Sequence, residues 1–231
     1  CGIRGFNLTM PNKNKIVELL DELSPAAQLI GAVNTVVNEN GRLIGYNTDG
    51  VGYMQAARDA GYDLTGKTIT LMGAGGAATA IIAQAALDGV RNIHIFARTT
   101  SRFHKRIQSL ADTINTTLPC CVSLHDNDDK GALKKALDES FLLINATPVG
   151  MAPDIETSII TDISLLRPEL IVSDVIYNPQ ETKLLRDAKK VGCRTFNGMY
   201  MLLYQGAEAF KLWTGQEMPV EEIKTKYFSG V

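Results

Sequence analysis

The stretch Ile69–Ala86 constrains the fold of this chain more than any other. The apolar run Ile69-Thr70-Leu71-Met72 meets Gly73-Ala74-Gly75-Gly76-Ala77-Ala78 and continues into Thr79-Ala80-Ile81-Ile82-Ala83-Gln84-Ala85-Ala86. The order is strand, glycine turn, helix start, with the spacing G-x-G-x-x-A. Gly73 permits the tight turn, Gly75 lets the backbone approach a pyrophosphate, and Ala78 is small enough for the helix to pack close on the strand. The helix N-terminus then offers free N–H groups and a partial positive charge to phosphates. The pattern implies a bound dinucleotide. A membrane span of this length is excluded by the three glycines at its middle, by Thr79 and Gln84, and by the strand–helix repeats that follow.

From Gly66 onward strands and helices alternate. Strands are predicted over Thr68–Met72, Asn92–Ala97, Cys120–Leu124, Phe141–Asn145, Leu170–Val175 and Arg194–Phe196. Helices are predicted near Ala77–Leu87, Ser101–Ile114, Lys130–Leu137 and Glu181–Val191. Nearly all-apolar strands alternating with helices mean a parallel sheet covered on both faces. The segment before reads differently. Gly5–Thr9 is a short strand, and Ile16, Val17, Leu19, Leu20 and Leu23 give Lys15–Leu23 helical spacing. Ser24-Pro25 starts a helix that Gly31 ends. Val33–Asn38 and Arg42–Tyr46 are strands joined by the hairpin signal Asn40-Gly41, and Asp49–Ala60 is a helix closed by Gly61. Helices Met199–Trp213 and Pro219–Tyr227 end the chain. The fold class expected is α/β. A doubly wound (Rossmann) dinucleotide-binding domain spans 63–198. A smaller, discontinuous α/β substrate domain is built from 1–62 and 199–231, with a substrate cleft between the two.

A formal net charge of −2 with no basic stripe offers nucleic acid no footprint. Cys1, Cys120, Cys121 and Cys193 have neither zinc nor disulfide-scaffold spacing. Cys120, Cys121 and Cys193 read as buried free thiols, in keeping with a reducing cytoplasm. His94, His104 and His125 are scattered, so no metal site is expected. The chain opens on Cys1 in what reads as the middle of a strand unit, and an N-terminal part is expected to precede it.

The end of the second parallel strand selects the cofactor. NAD sites place a carboxylate there for the ribose 2′-hydroxyl. This chain has Phe96-Ala97-Arg98-Thr99-Thr100-Ser101-Arg102. A 2′-phosphate would be held by Arg98 and Arg102, at about 1.5–3 kcal/mol per charge-assisted contact. That is roughly ten- to hundred-fold. NADP is therefore expected over NAD. As plain surface charge at a helix start, the arginines would gain nothing from the helix dipole.

Polar residues cluster at element ends in the first part of the chain. Asn7-Leu8-Thr9-Met10-Pro11-Asn12-Lys13 sets a lysine past a proline turn. Gly31-Ala32-Val33-Asn34-Thr35 sets an amide and a hydroxyl at a strand start. Gly45-Tyr46-Asn47-Thr48-Asp49-Gly50 sets a carboxylate where a strand meets a helix. Such placement is typical of a site. With the glycine turn, Asn145-Ala146-Thr147-Pro148-Val149-Gly150-Met151, Tyr177-Asn178-Pro179 and Gly198…Met201-Leu202-Leu203-Tyr204-Gln205-Gly206-Ala207, these motifs resemble the shikimate dehydrogenase family from end to end. Met10-Pro11-Asn12-Lys13 and Leu212-Trp213-Thr214-Gly215 resemble its quinate/shikimate dehydrogenase branch.

The resemblance implies reversible oxidation of the 3-hydroxyl of shikimate, or the matching hydroxyl of quinate, with a nicotinamide cofactor. It makes Lys13 and Asp49 the catalytic pair, and Asn34, Thr48 and Gln205 substrate-binding, with Asn7 and Thr9 nearby. It makes Gly73, Ala74, Gly75, Gly76, Ala77, Ala97, Arg98, Thr99, Thr100, Arg102, Pro148, Met151, Val175, Ile176, Tyr177 and Gly198 cofactor-binding. The family's Asn-Arg-Thr-x-x-Arg motif begins with Ala97 here, and its N-terminal segment, whose serines bind the substrate carboxylate, is absent.

Oxidising an alcohol removes a proton as hydride leaves. A free lysine, with a pKa of about 10.4, is a poor base near neutrality. Burial lowers a lysine's pKa and a neighbouring carboxylate raises it, so such a pair titrates together. Read as isolated residues, Lys13 would be a solvated lysine, Asp49 a helix N-cap, and Gln205 the donor of a buried structural hydrogen bond. Quinate with NAD is one alternative. A dinucleotide-binding regulatory protein without dehydrogenase activity is another. No membrane partner is expected, and a homodimer is the assembly expected, although no motif specifies it.

Overall fold

The computed structural model describes residues 2–228. Strands β1 (Gly5–Asn7), β2 (Glu22–Leu23), β3 (Thr35–Glu39) and β4 (Arg42–Tyr46) form a four-stranded sheet in the order β1-β3-β4-β2. β3 and β4 are an antiparallel hairpin, turned by Asn40 and Gly41 at positive φ as the Asn-Gly signal requires. Helix α1 (Pro25–Ile30) starts on the Ser24 cap and stops at left-handed Gly31. Helix α2 (Thr48–Asp59) follows β4 directly.

The second sheet is wholly parallel. Strands β5 (Thr68–Met72), β6 (Asn92–Phe96), β7 (Cys121–His125), β8 (Leu142–Asn145), β9 (Ile171–Asp174) and β10 (Arg194–Phe196) lie in the order β10-β9-β8-β5-β6-β7. That is the Rossmann order, with its reversal between β5 and β8. Helices α3 (Gly76–Leu87), α4 (His104–Thr117), α5 (Lys130–Glu139) and α6 (Lys183–Val191) make the crossovers. Alternate strand residues face opposite cores. Ile69, Leu71, Ile93 and Ile95 pack with α3 and α4, while Met72, Phe96, Leu143 and Val172 pack with α5 and α6. Helix α7 (Met199–Thr214) then packs along α2, and α8 (Val220–Tyr227) follows it, its Lys224 paired with Asp59 of α2. Among the described residues no helix is long and apolar enough to cross a membrane.

Two expectations fail locally. Lys15–Leu23 is not one helix but a 3-10 turn at Lys15–Leu19 followed by β2. Glu22 and Leu23 pair in parallel with Ile44 and Gly45, and Asp21 exchanges hydrogen bonds with Leu43. This pairing extends the backbone at Leu20 and ends the helical spacing, although Ile16, Val17, Leu20 and Leu23 still pack into the small core around Val33 and Val36. Cys121, expected buried, is exposed at the open edge of β7; Cys120 and Cys193 are buried free thiols, and Cys1 lies outside the described residues.

Helix α2 is wedged between α3 and α7. A Cβ on Gly50 would lie 2.3 Å from Ala80 O of α3, and one on Gly52 would lie 2.6 Å from Gln205 N and 2.7 Å from Met201 O of α7. Backbone meets backbone at both points, so neither neighbour can give way. Gly206, also helical, faces open space. In denaturant melts, Gly52→Ala is expected to cost about 2–3 kcal/mol or more, while Gly206→Ala gains about 0.5–1 kcal/mol. A Gly52→Ala variant as stable as the parent would contradict this packing.

Candidate active site

The β3–β4 hairpin places the residue before β3 beside the residues after β4. Asn34 N donates to Tyr46 O at 3.0 Å, which brings Asn34 against the start of α2. The N-cap of α2 is Asn47, whose Oδ1 accepts from Asp49 N at 3.2 Å. Asp49 is thus not the cap. It sits in the first turn, where the helix dipole favours a negative charge, and its carboxylate is free for other partners.

Lys13 Nζ donates to Asp49 Oδ2 at 2.6 Å, and only 19% and 18% of the two side chains are exposed. Asn34 Nδ2 donates to Asp49 Oδ1 at 2.8 Å and to Thr48 Oγ1 at 3.0 Å. Its Oδ1 accepts from Thr48 N and from Thr35 Oγ1, both at 2.9 Å. Asn7 Nδ2 reaches Thr35 Oγ1 at 3.0 Å and Asn34 O at 3.1 Å. The Lys13 carbonyl accepts from Val33 N at 2.8 Å. Lys13, Asp49, Asn34, Thr48 and Asn7 are therefore one network in which the carboxylate is held from both oxygens. An ammonium has three donors, of which Asp49 uses one. Thr9 is exposed in the turn after β1, and Gln205 is half-buried on α7, its Nε2 donating to Leu202 O at 3.0 Å.

The crevice at the reversal of strand order is a cleft of ≈ 810 Å³. Its walls include Gly73, Ala74, Gly75, Ala97, Arg98, Thr100, Arg102 and Pro148 from the expected cofactor set. Gly73, at φ +125°, passes so close to Ala146 that a Cβ would lie 2.7 Å from its carbonyl oxygen. Gly75 faces open space, and α3 has no side-chain cap on its first N–H groups. A phosphate fits there, with Gly76 and Ala77 supplying the helix start. Arg98 and Arg102 are exposed before α4, not within it, and among the described residues neither pairs with a carboxylate. Thr99 is fixed by its N–H, which donates to Asp126 Oδ2 at 3.0 Å. Met151, Val175, Ile176, Tyr177 and Gly198 do not line this cleft. Four of them gather at the ends of β9 and β10, where Gly198 N donates to Ile176 O and a Cβ on Gly198 would lie 2.0 Å from Val175 O. Met151 is exposed in a turn closed by its N–H to Pro148 O.

Two ties set the network against the parallel sheet. Tyr53, one turn beyond Asp49, is fully buried, and its hydroxyl lies 2.5 Å from Ser173 Oγ, two residues before Val175. Arg106 on α4 donates to Ile30 O at 2.8 Å and reaches Asn14 Oδ1, next to Lys13, at 3.4 Å.

The family model for the shikimate dehydrogenase substrate binding domain matches residues 1–36, and that for the shikimate 5′-dehydrogenase C-terminal domain matches 198–225. Shikimate dehydrogenase (NADP(+)) of Listeria innocua is 51% identical over 226 residues, which are 98% of this chain and 77% of that protein. Quinate/shikimate dehydrogenase of Escherichia coli O139:H28 is 47% identical over 96% of this chain and 77% of its own length. The chain belongs to the shikimate dehydrogenase family. Among solved structures, shikimate 5-dehydrogenase from Listeria monocytogenes, in complex with shikimate and NAD, superposes with a TM-score of 0.94 at 51% identity, over 96% of this chain and 77% of that one.

For this family member, the sequence marked the Thr35 hydroxyl but gave no role to Asn47, Tyr53, Arg106, Asp126 or Asp174. Asp174 had a visible signal, an acid closing an apolar strand. It is fully buried, accepting from Ile176 N at 3.0 Å, Asn145 Nδ2 at 3.1 Å and Thr182 Oγ1 at 2.8 Å. Burial pushes its carboxyl up to about 6, against the downward pull of those hydrogen bonds. A pKa raised on folding favours the protonated native state. Its stabilisation is full below about 3.9, the unfolded value, and is lost as pH rises through about 6. Urea melts of the parent and Asp174→Asn between pH 4 and 7 are expected to diverge, the parent losing roughly 2–3 kcal/mol relative to the variant as pH rises. Parallel pH curves would contradict this.

Proposed function

We propose that this chain catalyses the reversible NADP-dependent oxidation of the 3-hydroxyl of shikimate to 3-dehydroshikimate, with quinate as the alternative acid and NAD as a weaker cofactor. In this reading 63–198 is the cofactor lobe, and 1–62 with 199–231 is the substrate lobe. The observation that carries it is the shielded Lys13–Asp49 pair. The pair stands on a network tied by Tyr53 to the strand that ends beside Val175. The relatives carry the same activity in their names.

Lys13 handles the hydroxyl proton and stabilises the developing alkoxide charge. Asp49 orients both the hydroxyl and the ammonium. Asn34 fixes the Asp49 carboxylate through Oδ1 and leaves its other oxygen to Lys13. Thr48, Asn7, Thr9 and Gln205 are the proposed contacts to the ring substituents of the acid. NADP, when bound, supplies the hydride acceptor. The open turn at Gly75 and the start of α3 would hold its pyrophosphate, Arg98, Thr99, Thr100 and Arg102 its 2′-phosphate, and Val175–Tyr177, Met151 and Gly198 would flank its nicotinamide. A homodimer in the reducing cytoplasm, which the free Cys120 and Cys193 suit, is the setting we propose. Nothing favours a regulatory protein without turnover.

Steady-state assays with shikimate and quinate, each with NADP and NAD, test the reading on the parent and on Lys13→Ala. The parent is expected to turn over shikimate and to favour NADP about ten- to hundred-fold. Lys13→Ala is expected to lose turnover by about two to four orders of magnitude, with a smaller change in substrate affinity. Full activity in Lys13→Ala, or a clear preference for NAD, would contradict it.

A further inference from the structure

The cleft at the strand reversal has a polar group that no role above uses. Asn127, in the loop after β7, lines it together with Ala97, Arg98, Arg102 and Phe103. Its Oδ1 is shielded from solvent and accepts no hydrogen bond. A shielded carbonyl oxygen without a donor is rare in folded proteins and asks for a partner. Nothing on the loop itself supplies one. The preceding residue, Asp126, is already committed, its Oδ2 to Thr99 N and its Oδ1 to Asp128 N at 2.9 Å. Those two bonds also fix the register of Asn127 against the Arg98–Arg102 segment.

The surroundings narrow the ligand. Arg102 lies over the Phe103 ring at 4.7 Å, giving the pocket a planar wall, and Ala97 adds an apolar one. A flat wall and an apolar contact beside the one side-chain amide among the cleft's lining residues suit a flat heterocycle that offers a donor at its edge. Adenine has this form, and a side-chain amide pairs with its 6-amino edge. The arginines mark this as the adenosine end of the cleft. We propose that Asn127 recognises the adenine base of the dinucleotide, its Oδ1 accepting from the 6-amino group. This rests on the NADP reading given above and adds the group that reads the base.

The test is calorimetric binding of NADP and of its hypoxanthine analogue, in which a 6-oxo group replaces the 6-amino group, without any substrate acid. The parent is expected to bind NADP about five- to tenfold more tightly, the range of one hydrogen bond. Asn127→Ala is expected to bind both equally. Asn127→Asp, which can only accept, is expected to keep or widen the preference, since its added charge acts on both dinucleotides alike. A parent preference near one, or an Asn127→Ala preference as large as the parent's, would overturn the assignment. A parent that binds neither dinucleotide would overturn the NADP reading itself, and with it this one.

Discussion

Helix α2 approaches α3 and α7 more closely than any side chain would permit. Gly50 meets the backbone of Ala80, and Gly52 meets the backbone of Met201 and Gln205. The rest of the candidate site hangs on this contact. The first turn of α2 carries Asp49, and the face that continues from it carries Tyr53 into the parallel sheet at Ser173. A helix held off by even one methyl group at Gly50 would move the carboxylate away from the α3 end of the molecule, where the glycine turn lies. Packing this tight has low compressibility, which is why the position of one carboxylate can be specified through two glycines.

The electrostatics follow from the same placement. Asp49 lies at a helix start, takes one hydrogen bond from the Asn34 amide and another from Lys13, and leaves the capping task to Asn47. A carboxylate relieved of capping and fixed from both oxygens is pre-organised, and it has little freedom to lose when a hydroxyl arrives. At the crevice by the strand reversal the charges are arranged the other way. Arg98 and Arg102 stand exposed beside the crevice, while Asp126 in the loop after β7 accepts from the backbone N–H groups of Thr99 and Asp128. The two guanidinium groups, unpaired with any carboxylate among the described residues, are available where a phosphate would lie.

Much of this was legible in the residues. The parallel sheet was readable because its strands are nearly all apolar and its helices follow at regular intervals, so Thr68–Met72 and Arg194–Phe196 came out at their true ends. The Asn-Gly hairpin and the Ser-Pro helix start are local chemistry, and local chemistry is read locally. What was not legible depends on distant partners. Helical spacing over Lys15–Leu23 lost to pairing with β4, and Cys121 fell on the open edge strand β7, where it is exposed. Asp49 could also be read as a cap because Asn47, Thr48 and Asp49 are all cap-forming types, and spacing alone does not choose among them. Arg106 and Tyr53 join segments far apart in the chain, and no spacing rule relates Arg106 to Asn14 or Tyr53 to Ser173.

The central claim is geometric: the ammonium and carboxylate of Lys13 and Asp49 act as a unit on a hydroxyl that faces the nicotinamide. A crystal structure of this chain with NADP and the substrate acid tests it most directly. The account requires the reacting hydroxyl about 3 Å from both Lys13 Nζ and the Asp49 carboxylate, with its carbon turned toward the nicotinamide ring. A hydroxyl bound away from this pair, or a nicotinamide on the far side of the acid, would contradict it.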